Sequence, residues 1–241
     1  YDGAMRKYHQ LIYAIDQAVG MIRKELEAQG VAKNTVIFYT SDNGFFCGSH
    51  GYGSKVLPYE ESARVPCIVF DPRHESAGKK YRVRGITGNI DFAPTILQLA
   101  GLTAPESMQG TSLMPMLDDP NTDIHDSLAL MNFWGPTAAQ AYGVVTKKWK
   151  YVYWYYEGKG MTAAEELFDM TRDKLELKNA ATNPERQPQL EQMRGIYDEH
   201  LQNLRDLALN EKYSAYGKVF DRNLDWNSKA DLASGDEKAT K

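Results

Sequence analysis

The feature that most constrains this chain is a continuous apolar and β-branched run, TVIFYT at residues 35–40, that stops abruptly at Ser41-Asp42-Asn43-Gly44. A run without polar alternation suits a strand covered on both faces, and the Ser-Asp-Asn-Gly sequence then breaks it. Upstream, Leu11, Ile12, Ile15, Val19, Ile22 and Leu26 share one stripe of a helical repeat, with Gly30 placed to end the helix. Helix, short turn, buried strand and polar loop predict an α/β layer in a mostly parallel sheet. Ligands collect at the carboxyl ends of strands in such sheets, so Asp42-Asn43-Gly44 stands where a site is expected.

Residues 45–58 are rich in glycine and read as a loop, and RVPCIVFDP reads as a second short buried strand closed by Asp71-Pro72. A loop bearing Arg73, Lys79, Lys80, Arg82 and Arg84 follows. NIDFAPTILQLAG then predicts an amphipathic helix ending at Gly101, with Pro94 in its first turn and Asp91 as its N-cap. The turn-rich stretch APESMQGTSLMPMLDDPNTD leads out of this core. From residue 127 the pattern changes to short strands, SLALMNFW, AQAYGVVT and KWKYVYWYYE, which predict an antiparallel sheet with EELFDM closing that region. A last helix carries Leu190, Met193, Ile196, Tyr197, Leu201 and Leu204 on its apolar side. The expected organisation is a core at 1–118, an α+β subdomain at 119–225 and a polar, frayed tail at 226–241.

Composition excludes several function classes. The net charge is only −4 and the 28 Lys and Arg are scattered, so the electrostatic footprint of a nucleic-acid binder is missing. No apolar run reaches the roughly 18 residues of a membrane span. Cys47 and Cys67 lack CxxC spacing; they pair or, as expected, stay as buried free thiols. The chain begins YDGAMRKYHQ, already inside a helical pattern, and reads as a piece of a longer protein with any signal peptide outside it.

The Asp42 carboxylate and the Asn43 amide oxygen are hard donors suited to Ca²⁺ or Mg²⁺. Two adjacent residues cannot close such a shell, so further oxygen ligands must come from elsewhere. Lys55 can place a cation near the same point, and a metal with a lysine opposite holds and polarises a phosphate or sulfate group. On the residues alone, however, the same stretch also reads as a turn, with His50 bonded locally and Lys55 solvated.

The ordered series YHQLIYAIDQAVGMI, NTVIFYTSDNG, GSHGYGSKVLPYEESARVPCIV, NIDFAPTILQLAG, MQGTSLMPML, KWKYV and EELFDMTRDKLELKNAATNPE covers nearly all of residues 5–207. In that order it resembles the C-terminal half of a type I, formylglycine-dependent sulfatase of the alkaline phosphatase superfamily. The resemblance implies an alkaline-phosphatase-like α/β core followed by a small α+β subdomain. It also implies hydrolysis of a sulfate ester, of a carbohydrate or an aryl sulfate, by attack of a formylglycine hydrate on sulfur with bound calcium, in a periplasmic or secreted setting. Position by position, Asp42 and Asn43 match the family's late pair of metal ligands, and Lys55 matches its late sulfate-binding lysine. Asn43 fits the calcium-bound members, where related phosphonate and phosphate-diester hydrolases tend to carry His. His50 falls at the His of the family's GEHG stretch, here GSHG, with a substrate-side or structural role, and Ser49 replaces the family's Glu. Glu60, Glu61 and Arg64 read as an internal ion pair or cap that fixes the Lys55 loop.

One departure from the family pattern bears on the chemistry. Neither cysteine, nor any serine, stands in a CxPxR or SxPxR motif, so no catalytic residue is assigned within this chain. The nucleophile, the early metal aspartates and their Lys and His partners are expected in an N-terminal half of the same enzyme. The alternatives are a degenerate fragment that binds carbohydrate or a partner chain without chemistry, and a phosphoester hydrolase on the same scaffold.

Overall fold

A computed structural model describes residues 2–80, 82–208 and 211–233. Helix α1 (Asp2–Ala28) ends as its pattern predicts, with Gly30 in the left-handed region at φ 70°. None of its residues is buried: Leu11 is 65% exposed and Ile22 59%, so most of the apolar stripe is open, with Val19 and Leu26 half-buried. Strand β1 (Ile37–Thr40) follows and pairs with β4 (Cys67–Phe70), Ile37 opposite Phe70 and Thr40 opposite Cys67.

The helix–strand–loop order agrees with an α/β core, but the ladder direction differs from the expected parallel one. Strands β1 and β4 run antiparallel, as do all ladders among the described residues. A parallel neighbour needs a crossover of about a dozen residues or more, usually a helix. Between β1 and β4 lie only the small β2 (Phe46–Cys47) and β3 (Gly53–Ser54) ladder, a 3₁₀ turn and the short α2 (Glu60–Ala63), which send the chain back the way it came. The outer face of β4 is open, with Ile68 59% exposed. Cys67, which alternation places on the other face of this strand, is also exposed, and Cys47 is half-buried; both thiols are free, which corrects the expectation of two buried ones.

Helix α3 (Phe92–Leu99) holds Pro94 in its first turn, as its ring requires. Asp91 does not cap this helix. Its buried carboxylate accepts from Gly88 N (2.8 Å), Thr111 N (2.8 Å) and His125 Nε2 (2.8 Å), tying α3 to the passage that leaves the core through α4 (Met114–Asp118). The carboxylate is turned back to the 3₁₀ turn that precedes the helix and to two distant donors, and it accepts from no N–H of α3. Gly110 packs against the same turn so closely that a Cβ there would stand 1.9 Å from Ile90 O.

Strands β5 (Ser127–Asn132), β6 (Ala141–Thr146), β7 (Trp149–Trp154) and β8 (Ala164–Asp169) form a four-stranded antiparallel meander in chain order. Alternation along β7 sends Tyr151 and Tyr153 to one face and Lys150, Val152 and Trp154 to the other. The first face packs on α5 (Gln187–Asp206) through Leu190, Met193, Tyr197 and Leu201, and on Tyr216, Val219 and Phe220 at the end of α6 (Glu211–Val219). At the centre, the ring of Tyr197 meets Tyr142 and Tyr151 edge-on at 5.1 and 5.2 Å, and its hydroxyl donates to Phe220 O at 2.6 Å.

The expected polar tail is anchored at its start. Trp226 packs on the core beside Tyr156, and Lys229, ahead of α7 (Ala230–Ala233), is buried with Nζ donating to Asp221 O (2.6 Å) and Tyr153 OH (3.1 Å). Lysine is tolerated there because carbonyl and phenol oxygens replace its water, although burial still pulls its pKa down. Residues 234–241 lie outside the described residues.

Tyr197→Phe keeps the ring contacts and strands the Phe220 carbonyl. We expect a loss of about 1–2 kcal/mol in urea unfolding of the chain; an unchanged midpoint would show that the hydroxyl does not hold the α5–α6 corner.

Candidate functional site

At the end of β1 the backbone turns by local polar bonds. Ser41 Oγ donates to Asn43 O (2.8 Å), and Asp42 Oδ1 accepts from Asn43 N (2.9 Å), the short-range bonding that makes Asp and Asn turn formers. Asn89 Nδ2 reaches across from the turn before α3 to Ser41 O (3.1 Å) and Asp42 O (3.3 Å). Asn43 Nδ2 donates to Gly44 O at 2.8 Å, which fixes the amide so that Oδ1 points outward. Gly44 passes so close to α2 that a Cβ would lie 2.0 Å from Glu61 O. Glycine is required there by contact rather than by φ.

The next segment carries Lys55 back to this point. The β2–β3 ladder pairs Phe46 with Ser54 and Cys47 with Gly53, and the turn between them uses left-handed Gly48, His50 and Gly51 at φ 108°, 55° and 76°. Lys55 Nζ then donates to Asn43 Oδ1 at 2.9 Å. The three residues singled out in the sequence, Asp42, Asn43 and Lys55, thus meet at one strand end, and the outward Asn43 oxygen faces a cationic group.

His50 is not brought to that contact. Its ring stacks on Tyr59 at 4.3 Å and meets Phe46 edge-on at 6.4 Å, under the loop. One ligand atom each of His50, Glu61 and Glu176 lies within 4.8 Å of the other two, and His50 Nε2 and Glu61 Oε2 are buried without a hydrogen-bond partner. Glu176 Oε1 has a cation already: Lys150 Nζ stands 2.6 Å away, off the hydrogen-bond direction but close enough for an ion pair.

Lys150 is the residue sequence reasoning missed. It is 0% exposed in β7, on the sheet face opposite the helices. Its ammonium donates to Pro58 O at 3.0 Å and pairs with Glu60 Oε1 at 2.7 Å as well as with Glu176. Glu176 Oε2 in turn accepts from Glu60 N at 2.6 Å. Burial pushes the Glu176 carboxyl up, against the pull of Lys150 and the Glu60 N–H. Beside it, Tyr59 OH donates to Glu166 at 3.1 and 3.2 Å, and Trp154 Nε1 donates to the same carboxylate at 2.9 Å. Burial and the Glu166 charge raise the Tyr59 phenol well above its usual range. The expected Glu60–Arg64 pair is present but wide, 3.6 Å, with Arg64 largely in solvent; the effective partner of Glu60 is Lys150. A lysine inside an aromatic strand whose neighbours pack on both faces was the available signal.

The chain matches the family described as N-sulphoglucosamine sulphohydrolase, C-terminal, over residues 48–206. It is 32% identical to an N-acetylglucosamine-6-O-sulfatase of Bacteroides thetaiotaomicron over 218 residues, covering 88% of this chain and 38% of that protein. An arylsulfatase of Clostridium perfringens is 30% identical over 83% of this chain and 40% of its own length. The chain therefore spans about two fifths of the length of these relatives. A solved structure of a protein in complex with its substrate D-glucosamine-2-N,6-O-disulfate superposes with a TM-score of 0.74 at 30% identity, over 83% of this chain and 41% of that one. The phosphonate monoester hydrolase of Agrobacterium radiobacter superposes at 0.67 with 24% identity over 81% of this chain and 40% of that one, which shows a shared fold.

Lys150→Met leaves the Glu60 and Glu176 carboxylates facing each other without their cation. The expected cost is about 3–5 kcal/mol near neutral pH. The sign with pH follows from Glu176: with its folded pKa raised further, the native state binds the proton more tightly, so the deficit shrinks as pH falls toward about 4 and grows again above it. Equal destabilisation at pH 4.5 and 7.5 in chemical unfolding would contradict this.

Proposed function

Because this chain belongs to the sulfatase family, as a C-terminal portion of a formylglycine-dependent member of the alkaline phosphatase superfamily, we propose that it supplies one wall of a site that hydrolyses carbohydrate sulfate esters. In this reading residues 1–118 belong to the catalytic core and 119–225 form the subdomain that braces it. The observation that carries the proposal is the Lys55 Nζ to Asn43 Oδ1 contact of 2.9 Å at the end of β1. The names of the relatives and the sugar disulfate bound by the structural neighbour support the substrate class.

Within this wall Lys55 binds the sulfate group. Its ammonium faces outward at the site, and a sulfate oxygen can take the place of the Asn43 oxygen or share the ammonium with it. Charge that builds on the sulfuryl oxygens during ester cleavage is then met by a fixed cation, which lowers the barrier without reorganisation. Asp42 and Asn43 fit a calcium site in their donor chemistry: both offer hard oxygens, and Asp42 Oδ2 carries no hydrogen bond among the described residues. When bound, calcium supplies Lewis-acid polarisation of the sulfate oxygens. The attack on sulfur belongs to a formylglycine outside this chain, since neither the CxPxR nor the SxPxR pattern occurs in it. In this reading the 241 residues by themselves are expected not to turn over a sulfate ester. The open apolar stripe of α1 and the outer face of β4 are surfaces on which the rest of the enzyme packs.

Two measurements test this reading. In the complete enzyme, Lys55→Ala is expected to lower kcat/KM for a sulfated glucosamine by about 10²- to 10³-fold; a loss below twofold, or faster hydrolysis of the matching phosphate ester, would overturn the assignment. In the isolated chain, calcium titration should give a Kd of about 10⁻⁴ M or weaker, because Asp42 and Asn43 complete only part of a shell. Sub-micromolar binding, or binding unchanged by Asp42→Ala, would mean that the ligands lie elsewhere.

A further inference from the structure

Ser62 touches both halves of the Asn43–Lys55 wall. Its carbonyl accepts from Gly44 N at 2.8 Å, beside Asn43, and its hydroxyl accepts from Val56 N at 2.8 Å, beside Lys55. It sits on α2, 4% exposed, between these two segments. Lys55 is flanked by two non-glycine residues in the left-handed region, Ser54 at φ 75° and Val56 at φ 88°. An L-residue resists that conformation, a β-branched one most of all, and it persists only where surrounding bonds hold it. The bond holding Val56 there is the one to Ser62 Oγ.

We propose that Ser62 is a positioning residue for Lys55: its carbonyl fixes the Asn43 arm, its hydroxyl holds Val56 against relaxation, and together they set the direction in which the ammonium leaves the loop. The proposal rests on the sulfatase reading of Asn43 and Lys55 for its functional meaning. An ordinary packed serine in α2 would also be buried. It would not couple to the backbone strain at Val56, and that coupling is what the test reads.

In the 241-residue chain, Ser62→Ala is expected to speed amide hydrogen exchange at Val56 by about tenfold, the loss of one buried hydrogen bond, and to move the Asn43 side-chain amide resonances. Adding Val56→Gly removes the strain and should return the Asn43 resonances toward their native positions. Unchanged Val56 exchange, or no recovery in the double variant, overturns the proposal. Ser62→Thr keeps the oxygen and serves if Ser62→Ala unfolds: native Val56 protection is expected, and its loss counts against the hydroxyl. In the complete enzyme, Ser62→Ala should lower kcat/KM about tenfold at a temperature where the variant is fully folded, and should have no further effect once Lys55 is Ala. Losses that multiply would mean Ser62 acts independently of Lys55. An enzyme with no sulfatase activity at all would remove the functional reading alone, and the exchange and resonance data on the chain would still decide whether Ser62 sets the loop.

Discussion

The buried ammonium of Lys150 joins two parts of the molecule that are remote in sequence. It leaves the middle of β7, enters the space beneath the loop of residues 48–62, and binds Pro58 O and two carboxylates there. Charge removed from water in this way contributes little net stability, since the desolvation of three ionised groups offsets most of their attraction. What it provides is uniqueness. Any other docking of the loop on the sheet would take Pro58 O and Glu60 from Lys150 and the Glu60 N–H from Glu176. The loop that carries Lys55 is therefore tied to the antiparallel subdomain by a contact with few alternatives.

The sheet makes this possible because its two faces do different work. Toward α5 and α6 it is a packed layer of tyrosines, with Tyr197 held by three edge-on ring contacts and a hydrogen bond to Phe220 O. Toward the loop it presents Lys150, Trp154 and Glu166: Lys150 is met by Pro58 O, Glu60 and Glu176, and Glu166 accepts from both Trp154 and Tyr59. A rigid first face lets the second hold its polar atoms in place, which is the condition for a preorganised site. The order of dependence runs from helix packing, to sheet, to loop, to the Asn43–Lys55 contact.

Much of this was legible in the chain. The 3.6-residue stripes of α1 and α5 follow from sequence spacing, since an apolar repeat of that period has no other regular solution. The antiparallel subdomain was equally readable from its short aromatic strands, and the strand end at Asp42 and Asn43 from an apolar run that stops in turn formers, although β1 is only half-buried and not covered on both faces as its composition suggests. The direction of the β1 ladder was not, because strand composition says whether a face is covered and nothing about which way the neighbour runs. Cys67 failed for a related reason: its strand is apolar, yet neither face of it is fully covered in this chain. Asp91 was misread because a residue before a helix is a local signal, whereas Thr111 and His125 reach it from distant positions.

By itself, then, the sequence determined the elements, their order, and which strand end carries oxygen donors and a lysine, because these depend on periodicity, turn chemistry and residue type over short distances. Tertiary structure alone decided that His50 lies under the loop against Tyr59, that Lys150 rather than Arg64 answers Glu60, and that Ser62 contacts both arms of the site. Each of those depends on which buried polar atoms find partners when remote segments meet. No local pattern records that choice, because the free energy of leaving such an atom unpaired exists only once water has been excluded around it.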